Sequence, residues 1–421
     1  MPGGLIAGIF RAGRCPGAAL LRVLALLPAF GAGSGVRAQE ARRLPAETPG
    51  LARAVQVGDV PLAYTTMILG WNPAGTIAGD AATQTRQALR NADRALAAAG
   101  SSLDRAVKVN FYLTREEDAA AVDAVLAETF ADRPTAASWV TTPLIDPVAR
   151  VGVDVIAVAA GGGAGVQVAS VRTLPATLTG AHVAVLPAGP KIFVSGQPSA
   201  AADLRVAVRK SMASLGRTLE WLQATRADVV QVKAFIRPFT DYRAALEEMA
   251  AFFAGDPVPA FVVVEWVHAS LSTEIEMLVA GRPDRAPTDE GIAFLTPPGM
   301  TASPGFARVV AVDSGNPLIF ISGLYGRGGD GGARAEWLDI FTELGDILWA
   351  TGSSMRHQVK GTYYATTAEA RRLHGAIRRV YFDPARPPAN SGMMTKGVGR
   401  PDRMTTIDMI AIPIPSTRPA R

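Results

Sequence analysis

The chain has 421 residues, of which 48% are hydrophobic and only 19% charged. That balance excludes a disordered or fibrous chain and suits well-packed globular domains, about three of ordinary size. The formal charge of +5 is mostly owed to residues 1–38, which hold four arginines and no acids and leave +1 for the remainder. A nearly neutral remainder lacks the basic patch that phosphate binding needs, so nucleic acid is not an expected partner.

Arg11, Arg14 and Arg22 flank or precede the apolar run Val23 to Phe30, and Val36-Arg37-Ala38 offers a small-residue cleavage site before Gln39. This predicts a signal peptide over 1–38 and a periplasmic or secreted protein, with no stable membrane insertion after cleavage. A retained anchor is the alternative, although the apolar run is much shorter than the roughly 20 residues that span a bilayer. Cys15 is the only cysteine, so neither a disulfide nor a thiolate metal site is expected beyond the leader.

One structural unit then appears three times. In the first, over 46–160, Leu89, Ala92, Leu96 and Ala99 recur at helical spacing before Gly100. The strand Val107 to Thr114 follows, a second helix opens at Asp118 and ends near Phe130, and the strands Ala136 to Thr141 and Val151 to Val158 close the unit. The second unit, over 178–281, follows a glycine-rich joint at Gly161 to Gly165. Ile192 to Gln197 is a strand entering a turn, and Leu204, Val208, Met212, Leu215, Leu219 and Leu222 form a helical stripe. Val229 to Ile236 is the middle strand, Asp241-Tyr242 starts the second helix, and Ser272 to Val279 closes. The third unit, over 293–414, keeps this order with Phe320 to Gly323, a helix through Trp337, Ile340, Phe341 and Leu344, the strand Val359 to Ala365, and Ile407 to Ala411. Its Pro304 to Val310 segment also echoes Pro49 to Val55, which duplication explains.

Four segments of the first unit, Gln84 to Leu89, Ala99 to Thr114, Pro134 to Ser138 and Val153 to Val158, together resemble the RidA/YjgF family of small trimeric imine and enamine deaminases. The resemblance implies an α+β, chorismate-mutase-like fold with two helices on a mixed β-sheet in each unit. Three units in one chain then imply an intramolecular pseudo-trimer, a monomer with internal pseudo-three-fold symmetry. Three separate beads are the other arrangement, but each would expose an apolar sheet face.

In the family's catalytic members, an arginine in a Pro-x-Ala-Arg-Ser segment pairs with the substrate carboxylate. Here the equivalent positions hold Ala137, Phe261 and Asn390. The family's closing-strand carboxylate is matched by Asp154, Glu276 and Asp408, each readable either as a water-positioning catalytic group or as a solvated strand acid. The Ser-Gly of the family's early turn is kept at Ser195-Gly196 and Ser322-Gly323, whereas Thr66-Met67 is expected to fill the first pocket. Phe261 to Val264 suit an apolar ligand or none. The third unit is the most polar, and Asn390, Ser391, Thr395, Lys396, Ser322, Tyr325 and Asp408 are expected to form a substrate-binding group, combined with a neighbouring copy. Lys396 reads as a replacement cation for a carboxylate or as a solvated lysine.

His182, His268, His357 and His374 lack metal-ligand spacing, and Gly326 to Gly332 lacks the Lys-Ser/Thr of a phosphate loop. No metal or cofactor is expected. The sequence thus predicts an exported protein that binds a small molecule between its units, divergent or non-catalytic because the arginine is lost. A deaminase of altered specificity is the alternative.

Overall fold

The computed structural model describes residues 41–161, 163–177, 181–282, 288, 290–327 and 331–415. The expected leader lies outside them, as do residues 328–330 of the glycine-rich turn.

Helix α1, Ala81–Ala98, begins where the Asp80 carboxylate accepts from the Thr83 amide at 2.8 Å. This satisfies one of the free N–H groups of the first turn, and the predicted stripe of Leu89, Ala92 and Leu96 is buried. Helix α2, Ala119–Thr129, follows the strand Ala106–Leu113. Asp118 makes no capping bond; its carboxylate instead pairs with Arg150. The next strand, Ala136–Thr141, lies parallel to Ala106–Leu113, so α2 is the crossover that two parallel neighbours require. Strand Val151–Val158 pairs antiparallel on the other side of Ala106–Leu113.

The same sequence of elements recurs with α3, Leu204–Trp221, and α4, Tyr242–Phe252, and again with α5, Gly332–Ala350, and α6, Ala368–Tyr381. Each copy thus packs two helices on a mixed sheet. Closing strands Thr273–Ala280 and Thr405–Ala411 and middle strands Val229–Ile236 and Gln358–Ala365 fall within two residues of expectation.

Sheet composition departs from the linear units. The hairpin Gln167–Ala169/Val183–Leu186 completes the sheet of the first copy by pairing with Leu62–Thr65. Likewise Ile292–Leu295/Val309–Val312 joins Lys191–Ser199 of the second copy. The third sheet is completed by the first hairpin of the chain, Arg42–Pro45/Ala52–Val57, which pairs with Leu318–Leu324. Each hairpin therefore leaves its own copy for the preceding one, and the third copy is tied back to the first. The units 46–160, 178–281 and 293–414 are not the units of sheet pairing. Separate beads are excluded, because removing any one copy would strip a sheet of two strands.

Each copy has its own helix-on-sheet core. A further apolar cluster lies where the three sheets meet and takes Tyr64, Phe193 and Phe320 from equivalent positions of the three copies.

Candidate functional site

The early turn of each copy docks on the strand that follows the second helix of another. Thr66 Oγ1 donates to the Phe261 carbonyl at 2.5 Å, and the Met67 amide donates to the same oxygen at 3.2 Å. Ser195 Oγ accepts from the Asn390 amide at 2.7 Å, and Ser322 Oγ from the Ala137 amide at 2.9 Å. First meets second, second meets third, and third meets first. The residues expected to form one polar group are thereby separated: Ser322, Tyr325 and Asp408 face the first copy, whereas Asn390 and Ser391 face Ser195 and Glu276 of the second.

The strand acids have partners across these same interfaces. Lys108 Nζ lies 2.8 Å from Asp408, and Lys360 Nζ lies 2.8 Å from Glu276. Asp154 instead accepts from Asn110 Nδ2 at 2.9 Å and from the Tyr112 hydroxyl at 2.5 Å. With relative exposures of 2% for Asp154 and 12% and 20% for the side chains of Glu276 and Asp408, none is a solvated strand acid. Burial raises the pKa of the Asp154 carboxyl above its ordinary range. The lysines were legible as a Val-Lys pair on the middle strands, but nothing local in the sequence says that they answer acids in other copies.

The third–first interface is closed by Lys108, which is 2% exposed. Its ammonium donates to Ser138 Oγ and to the Ile321 carbonyl, both at 2.6 Å, besides pairing with Asp408. All three donors are used within the protein, which leaves none for a ligand. Beside it, the Arg400 guanidinium stacks 4.0 Å from the Trp139 ring centroid and pairs with Asp123 of the first copy at 2.9 Å. Tyr325 donates to the Val398 carbonyl at 2.9 Å.

The second–third interface brings together two acids on one strand. Glu274 and Glu276 stand two residues apart and so project to the same face. Ser391 donates to Glu276, and Glu274, 8% exposed, packs over Gly196. A Cβ at Gly196 would stand 2.1 Å from Glu274 Oε1, so any larger residue there would displace the Glu274 side chain. Burial, reinforced by the neighbouring Glu276 charge, pushes the Glu274 carboxyl up to about 8. The sequence reading singled out Glu276 and missed Glu274, although the alternation Thr-Glu-Ile-Glu-Met was available.

The first–second interface is open. A cavity of about 230 Å³ lies between the Thr66-Met67 turn and Phe261, with Trp71, Leu246 and Val263 on its walls and Tyr242 and Arg243 among its polar residues. Thr66-Met67 was expected to fill this space. It does not, because Thr66 turns its hydroxyl to the Phe261 backbone and lines the cavity instead.

The sequence model of the Endoribonuclease L-PSP family matches residues 44–159 and 175–280, together more than half of the chain. The chain belongs to this family, the RidA/YjgF family. Its third copy lies outside both matched regions. The mitochondrial protein mmf1 of Schizosaccharomyces pombe is 40% identical over 103 residues, which cover 24% of this chain and 58% of that relative. The chain thus spans less than two thirds of that relative's length. Among solved structures, yeast Mmf1 is 22% identical over 29% of this chain and 100% of its own, with a TM-score of 0.23. A YjgF-family protein from Neisseria meningitidis is 19% identical over 30% of this chain and 97% of its own, also with a TM-score of 0.23.

Two RidA/YjgF expectations remain to be placed. Lys396 is outside all three turn-to-strand contacts: its side chain is 63% exposed and pairs with Glu265 at 3.0 Å. His182 Nδ1 accepts from the Val171 amide at 3.0 Å and His268 Nδ1 from the Leu271 amide at 2.9 Å, whereas His374 packs against the rings of Trp337 and Tyr363. Among the described residues, no group of three or more His, Cys, Asp or Glu side chains could hold a metal ion, and no helix is long and apolar enough to cross a membrane.

Proposed function

We propose that this RidA/YjgF protein binds a small, mainly apolar molecule with one anionic end in the cavity between its first and second copies. The observation that carries the reading is the cavity itself, about 230 Å³ with Met67, Trp71, Leu246, Phe261 and Val263 on its walls. That volume is below the range of pockets for drug-sized ligands, so the occupant is compact. Phe261 stands where the family's catalytic members carry their carboxylate-pairing arginine, so the deep end of the cavity offers an aromatic ring and no fork of donors. The exposed Arg243 is the cation that a carboxylate could reach instead.

Thermal shift with 3-phenylpropionate and the alcohol 3-phenylpropanol tests this, since a ligand of the folded state raises the melting temperature with occupancy. The acid is expected to raise it more than the alcohol, and Leu246→Trp, which fills the cavity, is expected to remove both shifts. Equal shifts in wild type and Leu246→Trp would overturn the reading.

A second reading is favoured by Glu274. A carboxyl that titrates near 8 can hold a proton at neutral pH and exchange it with a bound imine or its attacking water. The supporting geometry is its place beside Gly196 and Ser391 in the second–third interface. Release of keto acid from 2-aminoacrylate decides this reading: the wild type should exceed Glu274→Gln, and equal rates would remove it.

A further inference from the structure

The two lysine–acid pairs leave a third position that the symmetry would fill and does not. Lys108 and Lys360 hold the same register, opposite Ile156 and Ile410, and at that register the second copy has Gln231 opposite Leu278. The lysine of the second copy comes two residues later. Lys233 lies opposite Glu276, where the other copies place Asn110 opposite Asp154 and Thr362 opposite Asp408. Lys233 therefore has, among the described residues, no ion pair, although only 9% of it is exposed. Its ammonium lies 5.5 and 6.0 Å from the ring centroids of Tyr112 and Tyr364 and interacts with the Tyr364 hydroxyl.

Lys233 lines a cavity of about 80 Å³ where the three sheets meet, together with Asn110, Tyr64 and the ion-paired Lys360, Glu276 and Asp408. Two more groups there are unsatisfied: the Tyr64 hydroxyl and Asn110 Oδ1 are buried without a hydrogen-bond partner. Leaving such groups dry is unfavourable, so a polar occupant is expected. The space has room for about five water-sized atoms. Solvent reaches this region, since the Glu276 and Asp408 side chains keep 12% and 20% exposure.

We propose that this central cavity is a second binding site, for a small hydroxycarboxylate of two or three carbons. Its carboxylate accepts from Lys233 and the Tyr64 hydroxyl, and its own hydroxyl donates to Asn110 Oδ1. Lys108 and Lys360 are neutralised by Asp408 and Glu276, so the charge that matters is that of Asp154. Burial raises the Asp154 carboxyl above its ordinary range against the opposing pull of Lys233; an anion beside Lys233 offsets that pull, so binding and protonation of Asp154 favour each other. Tyr64 on the cavity wall, and Tyr112 and Tyr364 beside the Lys233 ammonium, are held neutral by burial, and burial pushes the Glu274 carboxyl up to about 8.

Calorimetric titration of the full chain with sodium glycolate is the test. One site per chain is expected, with affinity rising as pH falls and with heats that depend on the buffer's ionisation enthalpy. Lys233→Met should weaken binding by at least about tenfold. Tyr64→Phe, which removes a hydroxyl with no protein partner and leaves the fold intact, should weaken it by a smaller factor and serves if Lys233→Met does not fold. Ethylene glycol, similar in size but uncharged, should not bind. Glycolate binding that is undetectable, unchanged in either variant, or matched by ethylene glycol would overturn the proposal.

Discussion

The third–first and first–second interfaces are built on one frame and reach opposite ends. In both, an early turn docks on a strand of the next copy through a hydroxyl, Ser322 in one and Thr66 in the other. At the third–first interface, Lys108 reaches the Ile321 carbonyl, Ser138 and Asp408 at once. At the first–second interface its register is held by Gln231, which reaches the corresponding Thr65 carbonyl at 3.3 Å and carries no charge. Asp154 turns to Asn110 and Tyr112, Lys233 turns to the central cavity, and a cavity stays open beside Phe261. A cation spent inside the protein closes an interface; moving it by two residues frees both the cation and the space.

The largest test of this contrast is Lys108→Met. It leaves Asp408 without its partner and two buried acceptors without a donor, and is expected to cost about 3–5 kcal/mol in urea unfolding. Gln231→Leu at the same register is expected to cost only about 1 kcal/mol. Equal costs would show that the lysine does not close its interface as described.

Glu274 gives the next effect, at the remaining interface. Its folded pKa of about 8 lies above the ordinary 4.5, so burial of the carboxyl costs nothing below about pH 4.5. The cost grows as pH rises toward 8 and is complete above it. Glu274→Gln, which cannot ionise, should therefore gain stability relative to wild type from pH 5 to pH 9, read as melting temperature against pH. A constant difference across that range would contradict the raised pKa.

Thr66→Val removes the hydrogen bond to the Phe261 carbonyl and should cost about 1 kcal/mol while leaving the cavity open. Least of all, Lys396→Ala should change stability by no more than about 0.5 kcal/mol, because the lysine side chain is 63% exposed. A larger change would restore Lys396 to consideration as part of a site.

Much of the fold was legible because it is written in local periodicity. The stripe of Leu89, Ala92 and Leu96 and the alternating Val229 to Ile236 need no partner to be recognised, and both lie where expected. The hairpin exchange was not legible: Ala52–Val57 has the same strand pattern whether it pairs within its copy or with Leu318–Leu324. The site was read only in part. Asp154, Glu276 and Asp408 stood out as acids in equivalent strands, but their standing as bonded groups depends on Lys108, Lys360 and Tyr112.

By itself, then, the sequence determined the family and the order of strands and helices in each copy, since both are carried by residue identity and short-range spacing. Only the tertiary structure decided which copy faces which, that Lys108 is consumed while Lys233 is not, and that the Thr66-Met67 turn leaves a cavity open. Those outcomes depend on distances between residues far apart in the chain, and such distances are set by how sheets close on one another, which no local pattern encodes.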